Sequence, residues 1–121
     1  MSVSVLIVDD SSMSRNLTRR ALPEDWDATV AEASGGEEAL AAYREGRAEV
    51  MFLDLTMPGM SGFDVLETLR REDLNCFVIV VSADVQSGSE ARARELGAMA
   101  FLRKPVQAEA VRAALDEYGF L

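Results

Sequence analysis

The sequence predicts an α/β fold: a doubly wound, three-layer sandwich in which helices cover both faces of a five-stranded parallel sheet. Apolar runs recur about every 25 residues along the 121-residue chain, and segments with helical spacing of apolar residues separate them. The predicted order is therefore a strand followed by a helix, five times over. Each connection is long enough for a crossover helix, and right-handed crossovers place helices on both faces of a parallel sheet.

The five predicted strands are short apolar runs. The first, third and fourth are almost continuously apolar, which is typical of strands that are covered on both faces. The second is more polar, which favours a position at the edge of the sheet. The runs occupy residues 3–8, 28–31, 50–53, 77–81 and 99–102.

The five predicted helices follow the strands one by one. Each is marked by apolar residues three or four positions apart, such as Met13, Leu17 and Ala21 in the first helix. Small polar residues favour helix starts and glycines favour helix ends, so both mark the boundaries here. The boundary residues are Ser11 or Ser12, residues 34–36, Gly46, Ser61 and Gly97.

The charge balance restricts the classes of partner. The chain has 12 Lys and Arg against 21 Asp and Glu, a formal net charge of −9. Sequence-independent binding to nucleic acid or anionic lipid needs clustered cations, so we expect neither as a partner. No apolar run approaches the roughly 18 residues that a membrane span needs. We therefore expect a cytoplasmic protein.

Two further features of the composition limit the chemistry. Histidine is absent, which excludes Ser-His and Cys-His catalytic pairs and His-based metal sites. Cys76 is the only cysteine, so no disulfide can form within the chain, and its apolar surroundings predict a buried structural thiol. Trp26, the only tryptophan, is expected to cover the edge of the sheet. Catalysis or binding must therefore rest on carboxylates, hydroxyls and lysine.

Polar residues follow four of the predicted strands. Asp9 and Asp10 end the first strand, Asp54 the third and Ser82 the fourth, while the fifth runs into Lys104. Each alone could be a helix cap, a turn residue or a solvated cation. Ligands of open parallel sheets bind outside the carboxyl ends of the strands, where these residues converge. Three carboxylates held so close would repel one another unless a cation neutralises them, so together they predict a ligand site.

Lys104 adds a compositional clue, because it is the only lysine in a chain whose other basic residues are all arginine. A compact ammonium can act as a point charge beside an oxyanion in a pocket that is too narrow for a guanidinium. Pro105 restricts Lys104 to extended backbone geometry, and a cis bond between them would hold the lysine in a sharp turn.

The strand-end residues, together with the segment 57–62, Ala83 and Pro105, resemble the signature of response regulator receiver domains over residues 3–118. The resemblance implies a flavodoxin-like fold with strand order 2-1-3-4-5. It also implies that residues 1–121 form a single receiver domain, and we expect no output domain.

The resemblance assigns a role to each acidic residue. Asp54 resembles the aspartate that accepts a phosphoryl group, and Asp9 and Asp10 resemble the acidic pair that binds Mg²⁺. Asp54 and the backbone carbonyl of Thr56 would complete the protein ligands of the metal. Mg²⁺ prefers oxygen ligands and keeps waters or phosphate oxygens in its shell, which agrees with this incomplete set.

The resemblance also assigns the switch residues. Lys104 resembles the ion partner of the phosphoryl group, Ser82 the hydroxyl that binds it, and Phe101 the aromatic residue that changes rotamer on activation. Phe101 lacks the hydroxyl that many relatives carry at this position. Thr56 and Asp84 occupy positions that tune the lifetime of the aspartyl phosphate.

The function implied is that of a phosphorylation-activated switch in a two-component pathway, in chemotaxis or a related process, and not of an enzyme. The donor would be a histidine kinase or phosphotransfer protein, since the chain has no histidine of its own. We also expect the protein to be a monomer that docks on an output protein. A separate phosphatase would remove the phosphoryl group.

Three alternatives remain open at the level of sequence. The domain could be a phosphate sink or shuttle without an output target, or a receiver fragment of a larger regulator. An aspartate-based phosphohydrolase is disfavoured, because such enzymes usually need a second acid two residues after the nucleophile, where this chain has Thr56.

Overall fold

The computed structural model describes residues 2–73, 75–83, 86 and 88–121. In these residues five strands alternate with five helices, as the sequence predicts. The strands are β1 (Val3–Val8), β2 (Ala28–Ala33), β3 (Val50–Leu53), β4 (Phe77–Ser82) and β5 (Ala100–Arg103). The helices are α1 (Ser12–Ala21), α2 (Gly36–Arg44), α3 (Gly62–Arg71), α4 (Ser89–Glu95) and α5 (Ala108–Glu117).

All strand pairs are parallel, and the order across the sheet is β2-β1-β3-β4-β5. This confirms the implied topology and the edge position of the polar second strand. Strand β2 continues two residues beyond its predicted end, because Glu32 and Ala33 pair with Ile7 and Val8 of β1. Strand β5 begins and ends one residue later than predicted.

The three layers follow from alternation along the central strands. Val5 and Ile7 of β1 pack into a core with residues of α1 and α5, whereas Leu6 and Val8 pack into a second core with residues of α2, α3 and α4. All four side chains are at most 1% exposed. Strands covered on both faces therefore need continuous apolar runs, which is the pattern that the sequence shows.

The predicted helix boundaries are largely correct. The side chain of Ser11 accepts a hydrogen bond from Ser14 N at 3.2 Å and caps α1. Ser61 and Asp64 form a reciprocal capping box that begins α3. Helix α2 differs, because its cap is Gly35, which offers no side-chain acceptor.

The amino ends of the strands meet in an aromatic cluster formed by Trp26, Phe77, Tyr118 and Phe120. Phe120 stands edge-on to Trp26 and to Phe77, with ring centroids 6.3 and 5.0 Å apart. Phe77 also contacts Tyr118, at 5.3 Å. Trp26 lies beside the edge strand β2, yet it is only 9% exposed, so it belongs to the core and does more than cover an edge.

Cys76 lies one residue before β4 and is only partly buried, so it is less buried than the sequence predicts. The burial it has raises the pKa of the thiol to about 12. At neutral pH the thiol stays protonated and unreactive, as a structural residue should. Among the described residues, no helix combines the length and apolar content that crossing a bilayer would require.

Candidate functional site

The carboxyl ends of β1 and β3 bring three carboxylates together. One oxygen from each of Asp9, Asp10 and Asp54 lies within 4.8 Å of the others. The ladder continues past the strand ends, because Asp9 N donates to Ala33 O at 3.1 Å and Asp54 N donates to Val8 O at 3.0 Å. The backbone of the sheet therefore fixes the positions of two of the three acids.

Lys104 reaches this cluster from the carboxyl end of β5. Its Nζ donates to Asp9 Oδ2 at 2.8 Å and lies 3.6 Å from Asp54 Oδ1. Lys104 N donates to Ser82 O at 3.0 Å, which continues the pairing of β4 with β5. The Lys104-Pro105 peptide bond is cis. The predicted convergence of acids and ammonium is therefore present in the fold.

The acids differ in their exposure to solvent. Asp9 and Asp54 are 4% and 6% exposed, whereas Asp10 is exposed. Burial raises the pKa of Asp54, and the Lys104 ammonium and a hydrogen bond from the Thr56 backbone oppose that rise. The neighbouring Asp9 and Asp10 add to it. Ionised Asp54 is thus destabilised by its own surroundings in the absence of a cation.

The charges favour a divalent cation at this position. The three carboxyl groups and the single ammonium of Lys104 together carry a formal excess of two negative charges. Carboxylate oxygens less than 5 Å apart fit the ligand preference of a hard cation such as Mg²⁺. The side chains therefore fit the metal that the resemblance implies.

The loop after β3 packs tightly against the backbone of Asp54. Gly62 N donates to Leu55 O at 2.9 Å, and a Cβ at Gly62 would lie 2.4 Å from Asp54 O. Only glycine lets the first turn of α3 approach the aspartate so closely. The capping box of Ser61 and Asp64 fixes the same turn, so the loop and the start of α3 restrain the backbone of Asp54.

Ser82 and Phe101 lie on neighbouring strands. Ser82 is 1% exposed and ends β4, opposite Arg103 of β5. Phe101 is partly buried against the core formed with α2, α3 and α4. Asp84 is outside the described residues.

Sequence reasoning missed two polar residues beside the acid cluster, Arg15 and Ser14. Arg15 Nη1 donates to the backbone oxygen of Asp9 at 2.6 Å, and its Nε donates to Glu32 at 2.8 Å. Ser14 accepts a hydrogen bond from Lys104 Nζ at 3.3 Å. Arg15 and Arg19 lie one helical turn apart and both bind Glu32, and that spacing was the only signal in the sequence.

The family model described as "Response regulator receiver domain" matches residues 5–116. The chemotaxis protein CheY of Listeria monocytogenes is 36% identical over 115 residues, which cover 95% of this chain and 97% of that protein. The chemotaxis protein CheY of Thermotoga maritima is 33% identical over 117 residues, which cover 97% of this chain and 98% of that protein.

Among solved structures, a crystal structure of a CheX–CheY–BeF3–Mg²⁺ complex from Borrelia burgdorferi aligns with a TM-score of 0.86. The aligned chain is 28% identical, and the alignment covers 96% of this chain and 88% of that one. The similarity thus extends over almost the whole molecule.

Proposed function

The chain belongs to the family of response regulator receiver domains, and from that premise we propose that Asp54 is the residue on which it accepts a phosphoryl group. As a receiver domain it is a phosphorylation-activated switch of two-component signalling. The observation that supports Asp54 is its position: it is buried in the acid cluster at the carboxyl end of β3 and has the ammonium of Lys104 3.6 Å away.

In the proposed reaction a carboxylate oxygen of Asp54 attacks the phosphorus of the donor. A new O–P bond forms as the bond from phosphorus to the leaving atom breaks, and the leaving group keeps the electron pair and takes a proton from solvent. Lys104 neutralises charge on the phosphoryl oxygens. Mg²⁺, held by Asp9, Asp10, Asp54 and the Thr56 carbonyl, would supply further neutralisation of those oxygens.

Intact-mass measurement after incubation with phosphoramidate and Mg²⁺ tests this assignment. Wild type is expected to gain one phosphoryl group, and Asp54→Asn is expected to gain none. Asp73→Asn is the matched control, because Asp73 lies at φ 67°, a left-handed conformation that asparagine also adopts. Phosphorylation of Asp54→Asn, or full phosphorylation after chelation of the metal, would contradict the proposed nucleophile or the proposed metal.

We further propose that Ser82, Phe101 and Lys104 transmit the phosphorylation. A phosphoryl group on Asp54 would draw the Ser82 hydroxyl and the Lys104 ammonium toward its oxygens, and Phe101 on the neighbouring strand would follow. The output face would then consist of β4, α4, β5 and α5 around Phe101, where these residues lie.

Substitutions at two of these residues separate phosphorylation from output. Lys104→Arg places a broad planar group where a point charge is needed, and Ser82→Ala removes the hydroxyl. Both variants are expected to be phosphorylated but to lose most of the phosphorylation-dependent gain in target affinity. Affinity like that of the wild type in both phosphorylated variants would contradict the switch assignment.

The partners that we propose follow from the family and the composition. The chain has no histidine, so a phosphohistidine donor is a separate kinase or phosphotransfer protein. Similarity to chemotaxis proteins supports an output target in chemotaxis. We propose that the protein acts in the cytoplasm as a monomeric switch and not as an enzyme, and that a separate phosphatase removes the phosphoryl group. A pull-down with unmodified and beryllofluoride-treated protein tests this, since a phosphate sink would retain no partner that depends on activation.

A further inference from the structure

We propose that Ser14 is a positioning residue that holds the Lys104 ammonium on the α1 side of the acid cluster and thereby slows the phosphorylation of Asp54. The inference rests on the proposed role of Asp54. It concerns a contact that the family signature residues do not include, because Ser14 lies within α1, away from every strand end.

The geometry of the ammonium is uneven. Lys104 Nζ donates to Asp9 Oδ2 at 2.8 Å and to Ser14 Oγ at 3.3 Å, both on the side of β1 and α1. Its separation from Asp54 Oδ1 is 3.6 Å, which is too long for a hydrogen bond. Two of the three N–H donors of the ammonium therefore point away from the acceptor aspartate.

Phosphorylation requires this arrangement to change. The phosphoryl oxygens appear on Asp54, so the Lys104 ammonium must shift toward Asp54, and its hydrogen bonds to Asp9 and Ser14 oppose that shift. Asp9 is also a proposed metal ligand, so its carboxylate has a second function in the loaded site. We assign no such second function to the Ser14 hydroxyl, whose hydrogen bond stabilises the resting position of Lys104 and thereby slows phosphorylation of Asp54.

The backbone that carries the Ser14 hydroxyl is held in place from two sides. Ser14 N donates to the Ser11 side chain at 3.2 Å, which fixes the first turn of α1. The next residue, Arg15, binds the Asp9 carbonyl and Glu32, and its side chain is only 16% exposed. Because α1 is anchored to the same acid that binds Lys104, the backbone of Ser14 is expected to keep its position when the lysine shifts.

Removal of the hydroxyl leaves the surrounding structure intact. Ser14 borders an open, mostly apolar pocket of about 300 Å³, whose other lining residues are Leu17, Thr18, Lys104, Pro105 and Val106. An alanine methyl group would only extend this apolar lining. The cap at Ser11 uses the backbone of Ser14 and is retained, and alanine has the higher helix propensity. We therefore expect Ser14→Ala to melt no lower than wild type.

The single lysine makes the contact directly observable. Isotopic labelling of lysine yields one side-chain signal, that of Lys104. In the metal-free protein, Ser14→Ala is expected to shift this signal, whereas Ser14→Thr keeps the hydroxyl and is expected to keep the wild-type position. Ser12→Ala is the matched control, because the Ser12 side chain is exposed and forms no hydrogen bond to any residue that the structure describes.

The rate of phosphorylation is the second readout. With phosphoramidate and Mg²⁺, Ser14→Ala is expected to phosphorylate about 2- to 10-fold faster than wild type, the range that one net hydrogen bond accounts for. Ser14→Thr and Ser12→Ala are expected to react like wild type. An equal or slower rate for Ser14→Ala overturns the proposal, and so does an unshifted Lys104 signal. A wild-type protein that takes up no phosphoryl group contradicts the assignment of Asp54 instead, and the lysine signal still reports on the contact with Ser14.

Discussion

The two ends of the sheet serve different purposes although the same strands build both. At the carboxyl end, buried polar groups of Asp9, Asp54 and Ser82 lie beside Lys104. At the amino end, aromatic rings led by Trp26 pack edge to face. One end concentrates charge that disfavours the folded state, and the other buries apolar surface that favours it.

The difference explains how a domain of this size can hold an incompletely neutralised acid cluster. Like charges in close contact raise the free energy of the folded state. An aromatic side chain buries about 150 to 250 Å² and is among the strongest contributors to a core. Apolar burial at the amino end and on the two helix-covered faces of the sheet therefore offsets the charge repulsion at the carboxyl end.

The largest effect on stability is expected at the amino end. Trp26→Ala removes a buried indole and should lower the free energy of unfolding by about 3 kcal/mol, as other large-to-small core substitutions do. Urea denaturation measures this loss. Trp26 is the only tryptophan, so the wild-type transition can be followed by fluorescence and the variant by circular dichroism.

A conservative variant separates packing from hydrogen bonding at the same position. The indole Nε1–H has no hydrogen-bond partner among the residues that the structure describes, so Trp26→Phe should cost much less than Trp26→Ala. The folded fraction of both variants should still be phosphorylated at the wild-type rate. A large change in that rate would mean that the two ends are not independent, and the comparison would fail.

A smaller loss is expected from a substitution beneath the acceptor. Gly62→Ala places a Cβ 2.4 Å from Asp54 O and 2.7 Å from Leu55 Cα, so the loop must shift, at a cost of about 1 to 3 kcal/mol. Unlike Trp26→Ala, it should also slow phosphorylation, because Asp54 moves with the loop. In Gly35→Ala the added Cβ meets no atom within 4 Å, so this control should leave the rate of phosphorylation unchanged, and any loss of stability should be only that of a weaker cap on α2.

Continuity of apolar residues was enough to predict β1, β3 and β4, because a strand covered on both faces has few alternatives in sequence. The more polar β2 ends two residues later than predicted. The position of a helix around its own axis is harder to predict. Ser14 and Arg15 face the acids only because α1 packs at a particular angle across β1. Trp26 joins the core through Phe120, a residue that follows the last helix and has no periodic pattern to place it.

A gain in stability is expected from Asp54→Asn in the metal-free protein. Burial raises the pKa of Asp54 above its ordinary value of 3.8, so the folded state binds this proton more tightly than the unfolded state does. The stability contributed by protonated Asp54 is then complete below that ordinary value and is lost as pH rises through the raised pKa. Asparagine does not ionise, so Asp54→Asn does not lose this stability as pH rises.

Denaturation at a series of pH values tests this sign. Asp54→Asn should exceed wild type in stability at neutral pH, and the difference should shrink as pH falls through the raised pKa of Asp54 and be smallest below the ordinary value of 3.8. A variant that is less stable than wild type at neutral pH would mean that ionised Asp54 stabilises the fold. The acid cluster at the carboxyl end would then not lower the free energy of unfolding.

The smallest effect concerns the exposed acid of the cluster. Millimolar Mg²⁺ should raise the melting temperature of wild type, because a ligand that binds only the folded state stabilises it by about 1 to 2 kcal/mol at ten times its Kd. Asp10→Asn relieves repulsion and removes a proposed ligand, so it should melt higher than wild type without metal and gain less when metal is added.

Glu37→Gln is the suitable control, since Glu37 is exposed on α2. The neighbouring Glu38 is less suitable, because its carboxylate accepts a hydrogen bond from the Ser34 backbone. If wild type shows no metal-dependent shift and Asp10→Asn melts lower, Asp10 acts as an ordinary residue at the start of α1, and the charge at the carboxyl end is not held there for a cation.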